Sequence, residues 1–237
     1  MQIIAPDQRG DLRSEYPVKK FVDKLSKIYK KHAKYFEAVI KARYPSLSDS
    51  LITKMKAEFD SLATDMQFAI DSKNPVDRRI PVCGMFLSLI RVLDSKGESY
   101  ETIRSASIEV ATDFVTPKNS FQKKLKLLQG RLAKSWLFRL IVHQLKKRVK
   151  NKAHQDGFAV DIITDPEKTF GLGYGFDIIE CGICKLFAKR NSGHYAKILC
   201  EVDHLTSSLA GLDLIRTGTI ANGAIKCDFR FKQKIRD

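Results

Sequence analysis

No stretch of the chain approaches the roughly 18 consecutive apolar residues that a membrane span requires. The opening MQIIAPDQRGDLRSEY meets charge before any long apolar run has formed. A secretory leader is therefore not expected, nor a membrane partner, and the expected setting is the cytoplasm. Cysteine is sparse and odd in number, with five in 237 residues. A chain of that length buries a sizeable core without staples, so a disulfide framework is excluded as the basis of folding and the thiols are expected to be reduced. Repeats, low-complexity segments and any nucleic-acid recognition motif of known docking geometry are also absent.

Acid is what the first part of the chain lacks. The net charge is +15, and residues 1–154 carry 31 Lys and Arg against 16 Asp and Glu, whereas residues 155–237 carry 11 of each. Cysteine is distributed the other way: Cys83 lies in the basic part, and Cys181, Cys184, Cys200 and Cys227 lie in the neutral one. Two regions follow, a basic helical one over 1–154 and a cysteine-rich α+β one over 155–237 that carries the site.

Periodicity predicts helices in the basic part. One starts near Pro17 and carries Phe21, Leu25, Ile28, Phe36, Val39 and Ile40 on one face. A second runs from Ser48 through Leu51, Met55, Phe59, Leu62, Met66 and Ile70, ending before the loop SKNPVDRRIP. A short buried helix closes at Gly97, and a fourth spans Ser99 to Phe114 ahead of Pro117. The fifth and longest is expected from Phe121 to Val149, with a bend at Gly130 and an apolar stripe through Leu125, Leu128, Trp136 and Leu140. Beyond residue 157 the pattern shifts to β-branched and aromatic runs: strands over 158–164 and 170–180, helices over 183–190 and 195–209, then strands over 212–220 and 224–233 joined at Asn222-Gly223. The expected class is α+β: a helical part packed against a small, four-stranded, mostly antiparallel sheet with two helices, in the order ββααββ.

The stretch ECGICKLFAKRNSGHYAKILCEVDH, residues 180–204, holds three cysteines and two histidines. Cys181 and Cys184 have the two-residue gap of zinc sites and thioredoxin-like pairs, but no second close pair accompanies them, since Cys200 and Cys227 stand 27 apart, and no βαβ pattern surrounds them. Buried thiols packed as small hydrophobes are the bland alternative, which suits Cys184 best. Asp203 follows Cys200 by three residues on a helix, so the two share a face, and Cys181 at a strand end and Cys227 within the last strand can meet them. His204 points away around that helix and His194 sits in a Ser-Gly break, so surface positions are expected for both. Asp228 faces the other side of its strand from Cys227, where a lysine partner would suffice. Arg216 lies either on the solvent face or forked onto a carboxylate in the site.

ECGIC, LCEVDH and LIRTGTIANGAIKCDFRF together resemble the hydrolases of L-2-amino-thiazoline-4-carboxylate, in which a cysteine at a strand end is followed by Cys-x-x-Asp on a helix and by Arg-Thr-x-Thr-Ile-x-x-Gly and Cys-Asp-Phe. The matching positions are Cys181, Cys200, Asp203, Arg216, Thr219, Gly223, Cys227 and Phe229, with a looser likeness from Leu87 to the region of Trp136. The resemblance implies a hydrolase that opens a cyclic amidine to a carbamoyl amino acid. On that basis Asp203 pairs with the amidine nitrogens and moves a proton, and Arg216 binds the substrate carboxylate with Thr219 beside it. Cys227 and Cys200 are the candidate nucleophiles, with Cys181 third. Whether the thiols attack carbon or hold a metal that activates water stays open, and no cofactor is named. The partner implied is a small molecule with a carboxylate. The alternative is a nucleic-acid or anionic-surface binding protein with a small ligand-sensing domain, but lysines opposite each apolar stripe are where a solvated helix face puts them, which argues against nucleic acid.

Overall fold

The computed structural model describes residues 12–132, 135–149 and 154–234. The opening residues 1–11 lie outside it. The helical part comprises α1 (Leu12–Arg43), α2 (Ser48–Ser61), α3 (Ala63–Ile70), α4 (Ile80–Ser95), α5 (Tyr100–Val115), α6 (Ser120–Leu132) and α7 (Trp136–Val149). After it come β1 (Ala159–Ile163), β2 (Gly175–Glu180), α8 (Gly182–Lys189), α9 (Ala196–Leu209), β3 (Leu212–Ile215) and β4 (Cys227–Gln233). The four strands form one antiparallel sheet in the order β1-β2-β4-β3. The fold is thus α+β, and among the described residues no helix is long and apolar enough to cross a membrane.

α4 is the hub of the helical part. Pro81 sits in its first turn, where the missing N–H costs nothing. Leu87, Leu89, Ile90 and Leu93 are fully buried against α1, α2, α3 and α5. It ends at Gly97, with the Glu98 N–H donating to the Leu93 carbonyl at 3.1 Å. In α1 the spacing of Leu25, Tyr29, Ala33, Phe36 and Ile40 produces a buried stripe, and the lysines between them face solvent. α5 is capped by Ser99, whose side chain accepts from the Thr102 N–H at 3.2 Å.

Several boundaries depart from the expectations. The second helix breaks at Leu62 into α2 and α3. There the Leu62 N–H turns back to the Phe59 carbonyl, and the Ser61 carbonyl accepts from Arg190 at 2.9 Å. The expected strand over 170–180 forms only from Gly175, because Phe170, Gly171 and Gly173 hold positive φ of 52°, 78° and 63° and cannot continue a pleat. The long fifth helix is two helices: α6 continues through Gly130 to Leu132 and α7 starts at Trp136, and the apolar stripe through Leu125, Leu128, Trp136 and Leu140 is largely exposed. The last two strands are shorter than expected as well. Residues 216–226 form a broad connection instead of a tight hairpin, held by Asp228, which accepts from Thr217 and Gly218.

One face of the sheet carries Val160, Ile178 and Cys227 in register, with Ile162, Phe176 and Phe229 as the next row. Phe176 and Phe229 stack with centroids 4.4 Å apart. The opposite face aligns Asp161, Asp177 and Asp228. There Asp177 is buried and paired with Lys226 at 2.6 Å and Arg230 at 2.9 Å.

A polar buckle ties the loop before α4 to the start of the sheet. Asp77, fully buried, accepts from Ser72 Oγ at 2.6 Å and from the Phe158 N–H at 2.8 Å, and Asn74 Nδ2 donates to the Phe158 carbonyl at 3.0 Å. Arg104 forks onto Glu201 at 2.8 and 2.5 Å, and Tyr195 Oη donates to Asp94 at 2.8 Å. Gly182 lets α8 approach: a Cβ there would lie 3.0 Å from both the Asp156 carbonyl and Ile80 Cδ1.

Candidate active site

A cavity of about 240 Å³ lies between the aromatic face of the sheet, α9, the start of α8, the Pro75–Arg79 loop and Leu145 of α7. It is smaller than the roughly 300–1,000 Å³ typical of sites for drug-sized ligands, which fits a metabolite. Cys181, Cys200, Asp203, Arg216 and Cys227 all line it. Alternation on β4 turns Cys227 and Phe229 to this face, and the three-residue spacing on α9 does the same for Cys200 and Asp203.

The thiols differ in character. Cys181 caps the N-terminus of α8, and its Sγ accepts from the Cys184 N–H at 3.5 Å. The Cys184 thiol and the N–H groups of Cys184 and Ile183 hold Cys181 below the usual thiol range against the opposing effect of burial. The same contact, with burial, pushes Cys184 up. Burial raises Cys200 to about 12 and also raises Cys227, despite the Ile220 N–H donating to Cys227 Sγ at 3.2 Å. Cys181 is therefore the thiol most ready to ionise. Cys184 is half-buried and packs against the core, and it also lines the cavity beside Cys181.

Asp203 is raised above the ordinary carboxylate range by burial, with Arg216 opposing. Arg216 Nη1 donates to Asp203 Oδ2 at 2.9 Å and Nη2 to the Cys200 carbonyl at 2.9 Å, and the guanidinium lies 5.0 Å from the centre of the Phe229 ring. Of the two positions open to Arg216, the structure has the one that reaches a carboxylate in the site, with its fork shared between Asp203 and the Cys200 carbonyl. Thr219 is buried next to this pair with its Oγ1 unpartnered among the described residues, in a shallower recess shared with His204 and Asn222. His194 and His204 are exposed, as their positions suggested. Asp228 takes no lysine; it pins the Thr217-Gly218 turn, and those hydrogen bonds keep it below its usual range although burial acts the other way.

Two cavity residues escape a reading of the sequence. The Arg79 side chain has no ion-pair or hydrogen-bond partner among the described residues, yet its charge acts on both Asp203 and Tyr174. Its neighbour Arg78 has the same chemistry, and only the buckle at Asp77 determines which of them faces the cavity. Tyr174 stacks on Phe231 at 5.7 Å, and burial raises its hydroxyl. Among the described residues no three His, Cys, Asp or Glu side chains are grouped to hold a metal ion.

Residues 89–231 match the sequence profile of the family described as L-2-amino-thiazoline-4-carboxylic acid hydrolase. No curated protein and no solved structure matches the chain.

Proposed function

Since the chain belongs to the L-2-amino-thiazoline-4-carboxylic acid hydrolase family, we propose that it opens a small cyclic amidine carrying a carboxylate, L-2-amino-thiazoline-4-carboxylate or a close relative, to a carbamoyl amino acid. The observation that carries the reading is one small cavity faced by a thiol held low, Cys181, and a carboxyl raised by burial, Asp203.

The carbon between the ring sulfur and the two nitrogens is electrophilic but resonance-stabilised. Attack on it needs a strong nucleophile and a proton for the departing ring heteroatom. In this reading the Cys181 thiolate adds to that carbon, the Asp203 carboxyl pairs with the amidine nitrogens, and the proton they share passes to the leaving atom as the ring opens. Water then displaces Cys181, so one water is consumed for each carbamoyl product and the thiol is regenerated. The order of the candidate nucleophiles shifts accordingly, from Cys227 and Cys200 ahead of Cys181 to Cys181 ahead of both. Cys200 and Cys227, held protonated by burial, shape the pocket around the ring sulfur. Arg216 is engaged by Asp203, so its role becomes orienting that carboxyl, and Arg79, whose guanidinium has no partner among the described residues, takes the substrate carboxylate. Phe176 and Phe229 supply a flat floor for the ring.

Turnover of the aminothiazoline carboxylate and melting temperature, measured on Cys181→Ala, Cys227→Ala and the parent, test this. Cys181→Ala should lose turnover by at least about a thousandfold while losing about 1 kcal/mol of stability with its cap, far too little to account for the lost activity. Cys227→Ala should keep measurable activity and lose about 1 kcal/mol of stability. A fully active Cys181→Ala protein would remove Cys181 as the nucleophile.

A further inference from the structure

Two successive helices turn apolar rows to solvent. On α6, Phe121 is 75% exposed, and Leu125 and Leu128 follow on the same line of the helix. On α7, Val142 and Val149 are buried, whereas Trp136, Leu137, Leu140 and Ile141 are all more than half exposed along one arc. Between Asp113 and Asp156 the chain has 12 Lys and Arg and no Asp or Glu. Lys124 and Lys147 are exposed on the same side as these rows, and Lys123, Arg139 and Lys146 are exposed elsewhere on the two helices.

From this juxtaposition we infer that α6 and α7 form a docking surface for an anionic phospholipid bilayer, on which the protein lies peripherally. Helices with large apolar side chains, tryptophan among them, flanked by Lys and Arg and free of acid are the kind that settle at the boundary of headgroups and acyl chains. Negative lipid headgroups complement exposed cations such as Lys124 and Lys147, and acyl chains complement Leu137, Leu140 and Ile141. Neither property suits the other occupants. A second copy across a two-fold axis would face the same cations with no acid to pair them. A nucleic acid would satisfy the lysines and leave the exposed aliphatic side chains without a partner. The expectation of no membrane partner rested on the missing apolar span, and this surface revises it: it rests on a bilayer and does not cross one. The inference stands apart from the hydrolase reading, since none of these exposed residues lines the cavity.

Trp136 is the only tryptophan in the chain and belongs to the exposed row, so its emission reports on this face directly. The full-length protein is mixed with phosphatidylcholine vesicles, with vesicles containing about a quarter phosphatidylserine, or with duplex DNA, and sedimentation and Trp136 emission are recorded. Phosphatidylserine vesicles should bind the protein and shift the emission to the blue. Phosphatidylcholine alone should do neither, and added salt should weaken the binding. The combined variant Leu137→Ser, Leu140→Ser, Ile141→Ser should bind at least about tenfold more weakly, with melting temperature and hydrolysis unchanged. The inference fails if phosphatidylserine vesicles leave the emission unchanged, or if the triple variant binds as well as the parent. It also fails if light scattering shows a parent dimer that the triple variant abolishes, which would make a second copy the occupant.

Discussion

Replacing Arg216 with glutamine removes the cation that is hydrogen-bonded to Asp203, and the sign of the outcome follows from the geometry. The pair is held at 2.9 Å, with the Arg216 side chain 7% exposed and that of Asp203 28% exposed. Unit charges about 4 Å apart attract by roughly 4 kcal/mol at an effective dielectric constant near 20. Solvent reaching Asp203 reduces this, so the variant should lose about 2–3 kcal/mol of stability in urea unfolding, within the margin of a folded domain. Arg216 holds Asp203 down against burial. Without it the carboxyl keeps its proton to higher pH. If Asp203 delivers the proton to the departing ring atom, the alkaline limb of the kcat/KM profile must move to higher pH while the maximum falls about ten- to a hundredfold through lost orientation. An alkaline limb that stays in place while the acid limb moves up would refute the reasoning, because Asp203 would then be acting as an ionised base.

Arg79→Gln should raise KM for the aminothiazoline carboxylate by about tenfold or more with a smaller change in kcat, as loss of a carboxylate partner does, and equal KM values for parent and variant would remove Arg79 from the site. Asp177 lies below its usual range because Lys226 and Arg230 outweigh the opposing effect of burial, so its contribution is complete above the unfolded carboxylate value near 4 and fades as pH falls through the folded one. Asp177→Asn should therefore be about 2–3 kcal/mol less stable than the parent at neutral pH, with the gap closing in acid, and a constant gap would contradict that pairing. Replacing exposed Lys27, Lys30 and Lys34 of α1 with glutamine should leave hydrolysis nearly unchanged, since surface charges beyond a Debye length of roughly 8 Å are screened at physiological salt; a collapse of turnover with the fold intact would bring the basic face into the site.

The elements that place Cys200, Asp203 and Cys227 were legible because each rests on one local period: three residues on a helix, two on a strand. Arg79 was not, because it reaches the cavity only through hydrogen bonds between residues about eighty positions apart, which no periodicity encodes. The ionisation of Cys181 depends on where α8 begins, and a boundary of one residue is finer than pattern reading resolves. The exposure of the row through Phe121 and Trp136 was not legible, since an apolar period has the same form whether it faces a protein interior or another apolar medium. The break at Leu62 coincides with a hydrogen bond from Arg190, far along the chain, to the Ser61 carbonyl.

The buckle at Asp77 grips Phe158 through its main-chain N–H and carbonyl, groups that any residue at that position other than proline would offer. The loop carrying Pro75, Val76 and Arg79 is thus anchored independently of the side chains it presents to the cavity. It also precedes residue 89, where the family match begins, whereas the thiols and Asp203 lie inside that match. Such a cassette can exchange the group that meets a ligand's charge without disturbing the groups that act on its ring. A library randomised at 75, 76 and 79 alone is the shortest route to altered selectivity on this scaffold.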